Sequence, residues 1–246
     1  MRFIKLGMLA ATGLVALSTG GADAADLSAY RAPLPAATAY SWTGLYVGAN
    51  IGYGWGDARY EADVVGGGGA SQSDQMNGVI GGLQSGYNHQ FGNWVLGFES
   101  DIQLSAQEGG STFPGGFGVA TITTDHKLTW FGTSRTRLGF LMTPMMLLYG
   151  TAGVAYGQVK EDTVVDAPGP PVFNASFSDV KAGWTAGGGI EAAFGAGWSA
   201  KLEYLYMDLG KTEHTFGTVA LGTIRTETRS TIDNIVRVGL NYRWGG

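Results

Sequence analysis

Pairs of ionisable residues two positions apart recur along this chain: Glu99 with Asp101, Arg135 with Arg137, Lys201 with Glu203. On an extended backbone, residues i and i+2 point the same way, so each pair stands on one face of a strand. Lys181, Glu191, Asp233, Arg237 and Arg243 occupy positions of the same kind, which nearly balances acid against base. Enclosed together, such groups either neutralise one another as ion pairs or relay protons or ions, and pairing is the simpler outcome because an unpartnered buried ion costs several kcal/mol. Other chemistry has little support. There is no cysteine, and His89, His126 and His214 are far apart, so neither a nucleophilic triad nor a multi-histidine metal site is indicated. Haem is the one cofactor with candidate residues, namely His126, His214 and the aromatics Phe113, Phe117, Phe173, Phe177 and Phe216. The spacing Gly44-x-x-x-Gly48 imitates a phosphate loop, but no following helix exists for it to serve.

The elements that position these groups follow from composition and period. The chain has 246 residues, of which 42 are glycine, and charged residues make up 14%. That is little more than half the usual fraction of about 25%, while apolar content is ordinary, so much of the outside of the fold does not face water. A net charge of −5 argues against nucleic acid as a partner. Met1, Arg2 and Lys5 precede an apolar run from Leu6 to Leu17, and Ala22-Asp23-Ala24 supplies small residues for cleavage. Residues 1–24 therefore read as an export signal, with cleavage expected after Ala24, and the Ala- and Pro-rich 25–41 as a leader. No later stretch is apolar enough to span a bilayer as a helix, so any membrane span must be β.

From Trp42 the chain alternates between two faces in eight stretches, near 42–56, 76–90, 94–105, 127–141, 145–159, 179–194, 197–210 and 230–244. Tight turns, Phe91-Gly92-Asn93, Met142-Thr143-Pro144 and Gly195-Ala196, alternate with connections of roughly 17–22 residues. The stretches sort residues by kind. In the last, Ile232, Val236, Val238, Leu240, Tyr242 and Trp244 oppose Asp233, Arg237, Asn241 and Arg243, with Asn234 and Ile235 breaking the pattern. In the fourth, Leu128, Trp130, Leu138 and Phe140 oppose Arg135 and Arg137. Strand-end aromatics Trp42, Trp55, Trp94, Trp130, Trp198, Tyr204, Tyr206, Tyr242 and Trp244 are assigned to interfacial girdles on the apolar face. The reading is an all-β, eight-stranded antiparallel up-and-down transmembrane barrel over residues 42–246. Its apolar face meets lipid and its ionised residues fill a lumen just wide enough for side chains. A soluble barrel with the aliphatic face inward is the alternative.

The runs Trp42-Thr43-Gly44-Leu45-Tyr46-Val47-Gly48-Ala49-Asn50-Ile51-Gly52-Tyr53-Gly54-Trp55-Gly56, Gly78-Val79-Ile80-Gly81-Gly82-Leu83-Gln84-Ser85-Gly86-Tyr87-Asn88, Arg135-Thr136-Arg137-Leu138-Gly139-Phe140 and Val238-Gly239-Leu240-Asn241-Tyr242-Arg243-Trp244 together resemble the alphaproteobacterial outer-membrane β-barrel, or "porin family", proteins. That family includes 25- and 31-kilodalton surface proteins, rhizobial outer-membrane proteins and hemin-binding porin-like proteins, and it is similar to the transmembrane half of OmpA. The resemblance implies the outer membrane of a Gram-negative bacterium, contact with lipid and lipopolysaccharide, and insertion by the barrel-assembly machinery. Members usually close on phenylalanine, where this chain has Trp244. Acidic residues of two connections, Glu61, Asp63 and Asp74, then Glu161, Asp162 and Asp166, could hold divalent cations that bridge lipopolysaccharide. The expected role is structural and non-enzymatic, with a diffusion porin or a haem- or host-binding surface as alternatives.

Overall fold

The structure, a computed structural model, describes residues 40–64, 70–114, 121–166, 173–210, 212–215 and 224–244. The expected signal and almost all of the leader lie outside the described residues. Nine strands appear in chain order: β1 (Gly44–Val64), β2 (Ala70–Phe91), β3 (Trp94–Pro114), β4 (Thr121–Thr143), β5 (Met146–Asp166), β6 (Phe173–Gly195), β7 (Trp198–Asp208), β8 (Thr212–Thr215) and β9 (Ile224–Arg243). From β1 to β7 each pairs antiparallel with the next, β7 pairs with β9, β9 returns to pair with β1, and the short β8 sits beside the outer part of β9. Eight antiparallel strands thus form a closed ring, without helix among the described residues.

Register fixes the width of that ring. Leu45 pairs with Tyr87, Tyr87 with Phe98, Phe98 with Thr136, Thr136 with Ala152, Ala152 with Ala186, Ala186 with Tyr206, Tyr206 with Asn234, and Asn234 with Trp55. One circuit therefore arrives ten residues further along β1. Eight strands with that shear tilt by about 40° and enclose a backbone cylinder of about 8 Å radius, which inward side chains occupy completely.

Alternation places apolar side chains outside. In β2, Leu83 is 65% exposed while its neighbour Gln84 is 3% exposed, and β1, β3, β6 and β9 repeat the contrast. Two aromatic belts bound the greasy surface. At the end carrying the tight turns stand Trp94 against Phe140, and Tyr242 between Trp198 and Trp244. At the other end stand Trp130 beside Tyr156, Trp184 beside Tyr206, and Trp55. The ten residue steps from Leu45 to Trp55, tilted as above, span about 25 Å, the height of an outer-membrane apolar band. Asn234, the polar residue of the outward set in β9, is satisfied there: the Tyr204 phenol donates to its Oδ1 at 2.7 Å, and its amide donates to the Trp55 carbonyl at 3.3 Å.

Three expectations are corrected. The long connections are mostly strand: β1 to β6 run 21 to 23 residues, well past the belt. Outside hydrocarbon the outer face of a ladder meets water, so the apolar period fades while the backbone pairing continues. Second, Leu128 points inward, because a register irregularity between Leu128 and Trp130 reverses the alternation. Third, Trp42 does not belong to an outer belt. It is fully buried inside the turn end, where Gly44, at φ +138°, redirects the chain before β1 begins.

Candidate functional site: the filled lumen

The inward side chains form three layers. In the middle, three carboxylates meet three cations. Arg135 (β4) donates from Nη2 to Glu99 Oε1 at 2.6 Å and Asp101 Oδ2 at 2.9 Å (β3), and from Nη1 to Glu203 Oε1 at 3.1 Å (β7). Arg237 (β9) donates from Nε to Glu203 Oε2 at 2.6 Å and from Nη2 to Asp101 Oδ2 at 2.9 Å. Lys201 Nζ spans both Glu99 oxygens at 2.8 and 2.9 Å. All six are buried. Desolvating that many ions is costly, and only multiple good bonds with full neutralisation offset it. Hydroxyls complete the shell: Tyr46 donates to Glu99 at 2.8 Å, Tyr149 to Glu203 at 2.9 Å and Thr133 to Asp101 at 2.8 Å.

Glycine makes room for the two phenols. A Cβ on Gly189 (β6) would stand 2.8 Å from the Tyr149 hydroxyl, and the Tyr46 ring covers Gly86 in the same way. Gly189→Val is therefore expected to push Tyr149 off Glu203 and destabilise the barrel by about 1–3 kcal/mol, read as a lower urea midpoint in detergent micelles.

Toward the turn end lies a second polar group centred on Glu191. It pairs with Arg137 and accepts from Ser199 at 2.5 Å and Asn241 at 3.0 Å, while Arg243 Nη2 is 4.0 Å away. Asn241 Oδ1 takes a bond from Gln84, whose own Oε1 takes one from Asn50. Beneath it the chain closes the cylinder with a buried cluster of Trp42, Val95, Leu141, Leu147, Tyr149 and Ala193. Trp42 is pinned by its backbone N–H on Gln90 and its indole N–H on the Pro144 carbonyl. Tyr40 receives a bond from Arg243 at 3.1 Å, and burial holds its phenol above the ordinary pKa, with Arg243 opposing.

The third layer, toward the other end, is apolar: Met76, Ile80, Leu128, Phe131, Ala155, Val159, Leu205, Met207, Leu209 and Ile235 pack as one cluster. The expectation that ionised residues fill the lumen is thus corrected for this layer, which is apolar. The signal for this layer was present as apolar doublets, such as Val79-Ile80, Trp130-Phe131 and Ile235-Val236, in which both faces of the strand are greasy.

Of the charged residues assigned to the lumen, Glu99, Asp101, Arg135, Lys201, Glu203 and Arg237 share the central group, while Glu191, Arg137 and Arg243 form the second. Two stand apart from both. Asp233 lies in the apolar layer, where its two oxygens take bonds from Gln107 Nε2 at 2.9 Å and no basic group pairs with it among the described residues. Lys181 is buried near the far end of β6, close to the charges of Glu161 and Asp179. Tyr46, Tyr149, Thr133, Ser199 and Gln107 went unassigned because hydroxyls and amides carry no charge signal, although strand parity alone puts them inward. His126 is buried on the inner face of β4. The side chains of His214, Phe113, Phe117, Phe173 and Phe216, and of Glu61, Asp63 and Asp74, lie outside the described residues. No group of three or more metal-ligating side chains occurs among the described residues.

Comparison with known proteins agrees with this geometry. Residues 14–243 match the family model of the outer membrane protein beta-barrel domain. The 31 kDa outer-membrane immunogenic protein of Brucella melitensis biotype 1 is 36% identical over 94% of this chain and 97% of its own length. The 22 kDa outer membrane protein of Rhizobium leguminosarum bv. viciae is 30% identical over 85% of this chain and 82% of its own. Among solved structures, the outer membrane protein OprG from Pseudomonas aeruginosa aligns over 82% of this chain and 97% of its own at 11% identity, with a TM-score of 0.47. An apolar exterior between aromatic belts, an ionic interior and near full-length similarity converge on one statement: the chain belongs to the outer-membrane β-barrel protein family of Gram-negative bacteria.

Proposed function

We propose that this protein is a closed structural barrel that anchors long strand hairpins at one face of the outer membrane and adds to envelope integrity, without passing solutes and without enzymatic activity. The observation that carries the reading is the stacking of three differently built layers in one narrow cylinder. Aromatic and aliphatic groups close the turn end, ion pairs lock the middle, and a dry apolar cluster fills the rest. Water-filled channels need far more strands than eight. Relatives named as outer-membrane immunogenic proteins suit a molecule whose strands stand well outside the bilayer. The acidic Asp162 and Asp166, exposed on that projecting part, suit divalent-cation contact with lipopolysaccharide, and the β9 terminus Tyr242-Arg243-Trp244 suits recognition by the assembly machinery.

Purified protein refolded into planar bilayers is expected to insert without stepwise current at any voltage the membrane tolerates. Regular ohmic steps from single inserted molecules would establish a diffusion porin instead.

A further inference from the structure

We infer that the turn-end half of the lumen is a binding site for one small monovalent anion of halide type, held between Arg137 and Arg243. The inference goes beyond the structural role and does not depend on whether the barrel conducts. It starts from charge. The central group is neutral, with Glu99, Asp101 and Glu203 against Arg135, Lys201 and Arg237, so it has no negative charge to lend. Below it, two guanidiniums share the single carboxylate of Glu191, Arg137 at Oε2 and Arg243 at 4.0 Å from Oε1. Among the described residues this chamber therefore carries one positive charge in excess, and both arginines are 1% exposed.

The hydrogen-bond count says the same. Two guanidiniums present ten N–H bonds. Arg137 engages Glu191 from Nη2, and Arg243 engages the Tyr40 phenol from Nη1. Arg137 Nε and Nη1, Arg243 Nε and Nη2, and Asn88 Nδ2 are buried with no hydrogen-bond acceptor among the described residues, against one unpartnered acceptor, Asn88 Oδ1. Glu191 has little left to offer them, since Ser199 and Asn241 already occupy Oε1 and one Arg137 bond falls on Oε2, while four guanidinium nitrogens remain unserved. Aromatic faces soften the charge, with Tyr149 centred 3.6 Å from the Arg137 guanidinium and Trp42 4.9 Å from that of Arg243. Those contacts attract the charge but supply no hydrogen-bond acceptor in place of the missing ones. Asn88 stands between the two arginines in register: it pairs with Gly44, which abuts the Arg243 side chain, and with Gly97, which pairs in turn with Arg137.

A set of buried donors with one surplus charge, lying between Trp42 and the ion-pair layer, selects its ligand first by charge. Water would satisfy donors but not charge. A dianion overcompensates the single surplus charge, and a large organic anion is disfavoured in a lumen just wide enough for side chains. A halide meets both conditions, and chloride is the abundant one.

The test uses the refolded chain in detergent micelles, unfolded by urea in sodium chloride or in sodium gluconate at equal ionic strength. With chloride at ten times its dissociation constant, the unfolding equilibrium constant is expected to fall about tenfold relative to gluconate. Arg243→Met is expected to abolish that difference, while Lys160→Gln, on the exposed outer part of β5, keeps it. Crystals of the unaltered protein soaked in bromide are expected to show an anomalous peak between the two guanidiniums, which decides the matter even if the arginine variant does not fold. Superimposable curves in the two salts, a chloride effect that survives Arg243→Met, or bromide absent from this position would each overturn the inference.

Discussion

Replacing Arg135 by leucine is expected to destabilise the folded barrel by about 3–5 kcal/mol, the range seen when one partner of a buried ion pair is removed. Arg135 hydrogen-bonds all three central carboxylates, Glu99, Asp101 and Glu203, whereas Arg237 bonds two of them and stands 3.6 Å from Glu99. Its loss leaves three negative groups to Arg237 and Lys201 in a cylinder that admits little water. The magnitude comes from the stranded charge and not from the ion pairs themselves, whose formation roughly balances desolvation. A paired replacement, Arg135→Leu with Asp101→Leu, restores two acids against two bases and is expected to recover part of the loss. Urea titration in detergent micelles, followed by tryptophan fluorescence and by the heat-dependent gel mobility of folded barrels, measures both. A single variant within about 1 kcal/mol of the parent would mean that water enters the lumen and the middle layer is not closed.

Arginine in place of Leu83 is expected to cost about 2–4 kcal/mol, or to prevent insertion, because this side chain projects from β2 near mid-height of the apolar band. Its β1 partner, Ala49, lies close to halfway between Leu45 and Trp55, which mark the two edges. The same change at Gln75, exposed on β2 beyond the aromatic belt, is expected to shift stability by no more than about 0.5 kcal/mol. Equilibrium unfolding from lipid vesicles distinguishes them. On a water-soluble barrel with this face outside, both substitutions would be harmless, so equal and negligible effects would reverse the membrane orientation.

Strand parity carried much of the assignment. Glu99 and Asp101, or Lys201 and Glu203, could be placed on one face because the period of an extended chain is local and independent of what the strand pairs with. The failures are equally local. Trp42 was grouped with the strand-end aromatics, although its parity with Tyr46 already pointed inward, and a positive-φ glycine between them completed its turn into the lumen. Leu128 was misplaced because one irregular residue pair inverts all that follows on the strand. The sequence under-reads the length of the strands because their outer parts, beyond the lipid, no longer need an apolar outer face and so have no hydrophobic alternation to read.

What the sequence by itself determined is the number of membrane-crossing strands, the sorting of side chains onto two faces, and the choice of the greasy face for lipid. All of these follow from period, composition and the scarcity of charge. Only the tertiary structure decided which inward groups meet. Arg237 reaches Asp101 across 136 residues of chain, and Gln84 reaches Asn241 across 157. Those meetings depend on a register that accumulates strand by strand until the ring closes ten residues out of step. A change of one residue at any pairing would turn a strand over and replace an ion pair with a leucine.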